Sequence, residues 1–467
     1  MPNRPSSLAV LRSVAVASGI AALVLGSLLL GACAGGSATQ AASGPIGTDA
    51  PAKADAPIEE NDTVPSTTVN PPTAGVRTGS EVLAGEGFSA LAGKRVGLIA
   101  NRVSVVGDTH LIDLLIAAPE VELVAAFAPE HGIRGIADAG ELFVDEVDPE
   151  TGLPIYSLYG ANRAPTAEVL ADIDILLFDL QDVGTRFYTY ISTMGLAMQA
   201  AAANGTAFWV LDRPNPLGGT ASAGFVRRPE LESFVAQYPI PSVHGLTIGE
   251  LALAIHGERW LADIEDLDLR VIELDGWSRN MRWPETGQRW ISPSPGLPSF
   301  ESALSYAGTV LFEASSISYG TGTRHPFSTV GAPWADPDLL AADLNGRNLP
   351  GVEFEPIAYA PRVIEGLATS PKLEGVAVRG VRYVLTDHRV FDPHRTGIHV
   401  LDAFRRQAAE KGITDLIDRP DFLDILSGSP ALREGLLVGL APDDIVEQWR
   451  SENAEFDALR QPYLLYD

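Results

Sequence analysis

Cysteine is almost absent: the 467-residue chain carries one. A single thiol excludes an intrachain disulfide framework and every Cys-rich zinc or iron–sulfur arrangement. Positive charge is also scarce, with 33 Lys and Arg against 60 Asp and Glu, a net charge of -27. Such a chain repels nucleic-acid phosphates and anionic bilayer surfaces, so a nucleic-acid partner is not expected. The eight His form no HExxH or HxH pair, which leaves a His-built metal site without support. A nucleophile elbow of the G-x-S-x-G kind is missing too. Gly87 to Lys94 spaces its glycines wrongly for a P-loop, and Gly320-Thr321-Gly322 lacks the third glycine of a dinucleotide fingerprint. What the chain does have is apolar material, 46% of it, enough for a substantial core at a length expected to hold two or three domains.

The one long apolar run lies at the beginning. Arg4 and Arg12 precede residues 13–32, giving the basic, apolar, small-residue order of an export signal. It closes on Leu30-Gly31-Ala32-Cys33, which resembles the bacterial lipobox and uses the sole cysteine. The expectation is a lipoprotein signal over residues 1–32 and a lipid on Cys33 that anchors the protein to the extracytoplasmic face of the membrane. The competing reading is an uncleaved anchor, since about 20 apolar residues also span a bilayer. Residues 33–78 are rich in Ala, Gly, Ser, Thr and Pro, cannot bury enough to order themselves, and read as a tether.

From residue 79 short β-branched runs alternate with helical stretches. Strands are expected at residues 95–100, 121–127, 173–179 and 207–212, with helices at 109–118, 190–203 and from Thr247, where Glu250 completes a capping box. This rhythm predicts an α/β fold with a mostly parallel sheet covered on both faces. A first α/β domain is expected over residues 79–334, with residues 276–334 read as ordered binding loops. A smaller α/β domain follows over 335–467, with a strand at 376–386 and a helix from Thr396.

In parallel sheets ligands bind beyond the carboxyl ends of the strands. There the chain places Pro129-Glu130-His131-Gly132 through Arg134, then Asp179 to Arg186, then Asp212-Arg213-Pro214-Asn215-Pro216. A Glu130 partly enclosed by a cleft would have a raised pKa and serve as a general acid, although a loop Glu is commonly just solvated. Asp179, Asp182, Arg186, Tyr188 and Tyr190 fit either a structural network or a sugar site, where aromatic faces cover the ring and charged groups hold its substituents. Asn215 between two prolines reads as a turn residue that can still face a ligand, and His244 as a structural histidine. Glu313 and Arg324 flank a Gly-rich stretch that permits close ligand approach, or they form a surface ion pair.

Taken together, Pro129-Glu130-His131-Gly132, Phe178 to Arg186 with Tyr188 and Tyr190, Leu211 to Pro216, Ser292 to Pro298 and Gly320 to Phe327 resemble the peptidoglycan exo-β-N-acetylmuramidase family called NamZ. The resemblance spans residues 79–467. It implies a Rossmann-like N-terminal domain without a nucleotide, a smaller C-terminal α/β domain, a cleft between them, and hydrolysis without metal or organic cofactor. The reaction implied is release of N-acetylmuramic acid (MurNAc) from the non-reducing end of peptidoglycan fragments in which MurNAc is β-1,4-linked to N-acetylglucosamine (GlcNAc). Glu130 matches the family's catalytic glutamate. Asp182, Glu313 or the substrate's own acetamido group is the second catalytic group. His131, Arg134, Asp179, Arg186, Tyr188, Tyr190, Asn215, His244 and Arg324 are the expected substrate contacts, with Arg134, Arg186 and Arg324 reading the muramic carboxylate. The chain departs from the family after its first strand, where Asn101-Arg102-Val103-Ser104 replaces an Asn-Gln-Thr-Gly-like turn. The competing class is a lipid-tethered sugar- or muropeptide-binding protein, which has no need of an acid at residue 130.

Overall fold

A computed structural model describes residues 75–129, 132–133, 145–160 and 162–467. The expected signal and tether up to residue 74, with Cys33, and the calls on Glu130, His131 and Arg134 lie outside the described residues.

The strands are β1 (Lys94–Ala100), β2 (Val105–Val106), β3 (Thr109–His110), β4 (Val121–Ala128), β5 (Glu146–Val147), β6 (Pro154–Ser157), β7 (Ile175–Asp179), β8 (Ala207–Leu211), β9 (Leu269–Ile272), β10 (Thr329–Ala332), β11 (Val352–Tyr359) and β12 (Val378–Leu385). The helices are α1 (Gly79–Gly85), α2 (Leu111–Ala117), α3 (Ala167–Leu170), α4 (Tyr190–Asn204), α5 (Ile248–Gly257), α6 (Trp283–Thr286), α7 (Phe300–Thr309), α8 (Pro337–Gly346), α9 (Pro393–Glu410), α10 (Pro420–Ser427), α11 (Ala431–Val438), α12 (Pro442–Glu447) and α13 (Arg450–Arg460). Among the described residues no helix is long and apolar enough to cross a membrane.

A seven-stranded sheet runs β5-β6-β4-β1-β7-β8-β9, with only the β5 edge antiparallel. Its six parallel strands, counted along the chain, stand in the order 3-2-1-4-5-6, the Rossmann order. The apolar strands explain why both faces are covered. In β7, Leu176 and Phe178 enter one core while Ile175 and Leu177 enter the other. The order reverses between β1 and β7, which opens a crevice at their carboxyl ends.

The helix starts follow their sequence signals. Thr247 caps α5 and exchanges hydrogen bonds with Glu250, and Gly205 ends α4 in the left-handed conformation at φ 67°. Residues 276–334, expected as loops, instead hold α6, α7, a 3-10 turn over Val310–Ala314 and β10. The Pro and Trp content masked the helical period there. The second sheet, β10-β12-β11, is antiparallel and smaller. One hydrophobic core runs from Ile99 in β1 to Phe456 in α13.

Candidate active site

The segment that follows β7 lines a cavity of about 420 Å³. Its walls come from stretches far apart in sequence, among them residues 187–190, the loop at 294–297, the segments around Tyr306, Glu313 and Phe327, and residues 367–371. The walls are aromatic. Tyr188 meets Tyr190 edge-on at 4.9 Å between centroids, Tyr306 meets Phe327 at 4.8 Å, and Tyr319 stacks on Phe327 at 5.4 Å. Thr189, Ser294, Thr321, Thr369 and Ser370 also line it, so the lining combines aromatic residues with hydroxyl-bearing ones, as a sugar ring requires.

Glu313 is the single charged residue among the described lining residues. It rides on the 3-10 turn that extends α7, and burial pushes its carboxyl up to about 7 against the lowering influence of Lys372 and Arg419. Lys372 secures that turn: its ammonium donates to the carbonyls of Phe312 and Glu313 at 3.2 Å each, and also to that of Ser315. The same ammonium lies 5.3 Å from the Tyr319 ring centroid. Lys372 directly follows the 367–371 wall, so one side chain joins that wall to the turn bearing the carboxylate.

The remaining expected contacts divide sharply. Tyr188 and Tyr190 line the cavity. Tyr190 is held in place, donating to the Pro293 carbonyl at 2.7 Å and accepting from the Asn101 amide at 3.0 Å. Burial raises the Tyr188 hydroxyl well above its ordinary pKa and keeps it protonated.

Asp179 instead forms a buried two-point ion pair with Arg213, at 2.7 and 2.9 Å, that ties the ends of β7 and β8 together. Arg186 is fully buried and gives its guanidinium to the carbonyls of Phe225, Ile240 and Leu426 at 2.8–2.9 Å. Burial pushes its pKa down to about 9, and it is a brace rather than a reader of carboxylate. Asn215 spends its amide on the Leu246 carbonyl and the Leu217 N–H, the turn alternative. Asp182 accepts from the Gly184 N–H at 2.7 Å and faces His244 Nε2 at 3.4 Å, while His244 Nδ1 accepts from the Leu246 N–H. Both are buried and neither belongs to the cavity lining, so Asp182 supports a turn behind the wall. Arg324 is exposed and also off the lining.

Sequence reasoning missed Tyr306, Tyr319, Phe327 and the 367–371 wall as site residues. Phe327 closes the Gly320 to Phe327 phrase, and Tyr319 immediately precedes it. Tyr306 and residues 367–371 had no motif to mark them.

A Rossmann-ordered sheet whose segment after β7 lines an aromatic, carboxylate-bearing cavity defines an α/β protein with a pocket suited to a sugar ring. Residues 96–301 match the family described as exo-beta-N-acetylmuramidase NamZ, N-terminal, and residues 304–466 its C-terminal counterpart. The chain belongs to this family. It is 40% identical over 394 residues to the peptidoglycan beta-N-acetylmuramidase NamZ of Bacillus subtilis (strain 168), covering 84% of this chain and 91% of that protein. Two crystal structures of DUF1343 family proteins from Bacteroides fragilis NCTC 9343 share the fold. One has a TM-score of 0.77 at 38% identity, covering 85% of this chain and all of the other. The second has 0.68 at 31%, covering 84% and 99%.

Proposed function

We propose that this protein is an exo-acting glycosidase that releases MurNAc from the non-reducing end of β-1,4-linked MurNAc–GlcNAc fragments of peptidoglycan. The observation that carries the reading is the cavity itself: about 420 Å³, aromatic-walled, with one carboxylate among its described lining residues. That volume suits one sugar better than a run of them. Membership of the NamZ family favours hydrolysis over a binding protein of similar architecture.

In this reading Glu130 protonates the departing GlcNAc oxygen and Glu313 is the second catalytic group, acting ionised on the sugar or its acetamido substituent. The turn-bound Asp182 is the weaker alternative. Tyr188 and Tyr190 cover and orient the ring. Arg134 holds the muramic carboxylate in this reading.

Incubation with a MurNAc–GlcNAc disaccharide and with intact glycan strands tests the activity. Free MurNAc from both, without internal fragments, is the expected result; rapid strand shortening without monosaccharide would refute it. Glu130→Gln should lower kcat on the disaccharide by about 10²–10⁴ and affect an activated aryl muramide far less, because that leaving group departs without a proton. Equal losses on both substrates would refute the acid role.

We further propose that Cys33 is lipidated after removal of residues 1–32, tethering the enzyme to the extracytoplasmic face of the membrane. The Leu30 to Cys33 lipobox supports this. Cys33→Ala should abolish lipid labelling and release the protein from membranes; a mature chain that kept residues 1–32 would overturn it.

A further inference from the structure

A second recess, about 490 Å³, adjoins the first cavity and plays no part in the mechanism above. Leu367 lines both spaces. The 292–298 loop is their partition: Ser294, Gly296 and Leu297 face the cavity, whereas Ser292, Pro295 and Pro298 face the recess.

The recess differs from the cavity in charge. Its lining includes Arg102 and Arg289, both exposed, and no acidic residue among those described. In a chain of net charge -27 this is an unusual pairing. Arg102 has no ion-pair partner among the described residues. Among the described residues Arg289 meets only Asp108, at 3.2 Å, with side chains 66% and 92% exposed, a contact of small energy that an incoming anion can displace. The nearby Glu81 is engaged by Thr78 and Gln288.

Arg102 is also well placed. Its neighbours Asn101, Val103 and Ser104 are buried, and the turn is fixed by hydrogen bonds from the Val103 N–H to Asn101 and from the Asn101 N–H to Ser104. The guanidinium therefore projects from a rigid base at the carboxyl end of β1. Trp290, held by a hydrogen bond from its indole to the Leu297 carbonyl at 3.1 Å, adds an aromatic wall to the same recess.

We propose that this recess is a distal subsite in which Arg102 and Arg289 hold the carboxylate of the next muramic acid along the strand. The inference rests on the glycosidase reading: with a terminal MurNAc in the cavity, the alternating strand presents its next lactyl carboxylate two sugars further on. A disaccharide has no such group. The enzyme should therefore favour strands of three sugars or more.

The test compares kcat/KM of the purified full chain for MurNAc–GlcNAc and for the tetrasaccharide of two such units. The parent should prefer the tetrasaccharide through a lower KM. Combined Arg102→Ala and Arg289→Ala should erase about threefold to tenfold of that preference, in line with exposed charge-assisted contacts, and leave disaccharide turnover in place. Amidating the inner lactyl carboxylate should remove the preference in the parent and make no difference to the double variant. Salt should narrow the preference in the parent alone.

Equal efficiency on both substrates in the parent would overturn the subsite. So would a double variant that loses both activities in proportion. Absence of MurNAc from either substrate with the parent enzyme would instead overturn the glycosidase reading.

Discussion

Glu313 has opposite effects on stability and on chemistry. Burial raises its carboxyl from 4.5 to about 7, so between those values the folded protein binds more protons than the unfolded chain. This contribution is fully present below the ordinary carboxyl value and is lost as pH rises through about 7. Glu313→Gln removes the dependence. Its melting temperature should overtake the parent's above about pH 7, while its turnover falls by about 10²–10⁴. In the parent, kcat/KM should rise with pH through a limb near 7 as the carboxylate ionises, and the limb should vanish from the variant's residual activity. A variant with parental turnover, or with a melting temperature that tracks the parent's across this range, would remove Glu313 from the mechanism.

At the scale of elements, the strand ends were legible because a continuous apolar run followed by polar residues has few other meanings in a parallel sheet. Side-chain direction was not. Asp179 and Arg186 stand in one motif with Tyr188 and Tyr190, yet the first two turn inward to an ion pair and to carbonyls while the tyrosines face the cavity. A linear pattern cannot distinguish these outcomes, because the partners Arg213 and Leu426 arrive from other elements. The walls at Tyr306 and 367–371 were illegible for the same reason: packing, not local pattern, delivers them.

That delivery depends on a close helix crossing. A Cβ on Gly308 of α7 would collide with the Pro393 carbonyl, and one on Gly397 of α9 would lie 2.6 Å from the Gly308 oxygen. The helix so constrained continues directly into the turn bearing Glu313. Gly308→Ala should cost about 1–3 kcal/mol and raise KM, as the turn shifts within the cavity wall. Gly346→Ala is the control, since a Cβ there meets nothing within 4 Å and the helix should tolerate it or gain about 0.5–1 kcal/mol. Denaturant midpoints of the two variants check the contrast, and similar values would show that the crossing has room to spare.

For the whole molecule, the two family spans meet at residues 301 and 304, but the core does not divide there. Polar contacts also cross it. Arg186 braces the Leu426 carbonyl across 240 residues, and Arg460 donates to the carbonyls of His244 and Gly245. Tyr466 donates to Asp212 at 2.6 Å, and the Leu465 N–H to Glu250 at 2.9 Å. Asp212 is fully buried at the end of β8, where Thr247, Gly249 and Arg213 supply its other hydrogen bonds. Separating the spans would strip Asp212 and Arg186 of buried partners and expose the aromatic cavity wall, a penalty neither half has contacts to offset. Residues 75–301 and 304–467 expressed alone should therefore fail to fold. The intact chain should lose far-ultraviolet circular dichroism and tryptophan fluorescence in one coincident thermal transition. Two resolved transitions, or a soluble half with a cooperative melt of its own, would show that the spans are independent and that the cavity forms by docking of two finished domains.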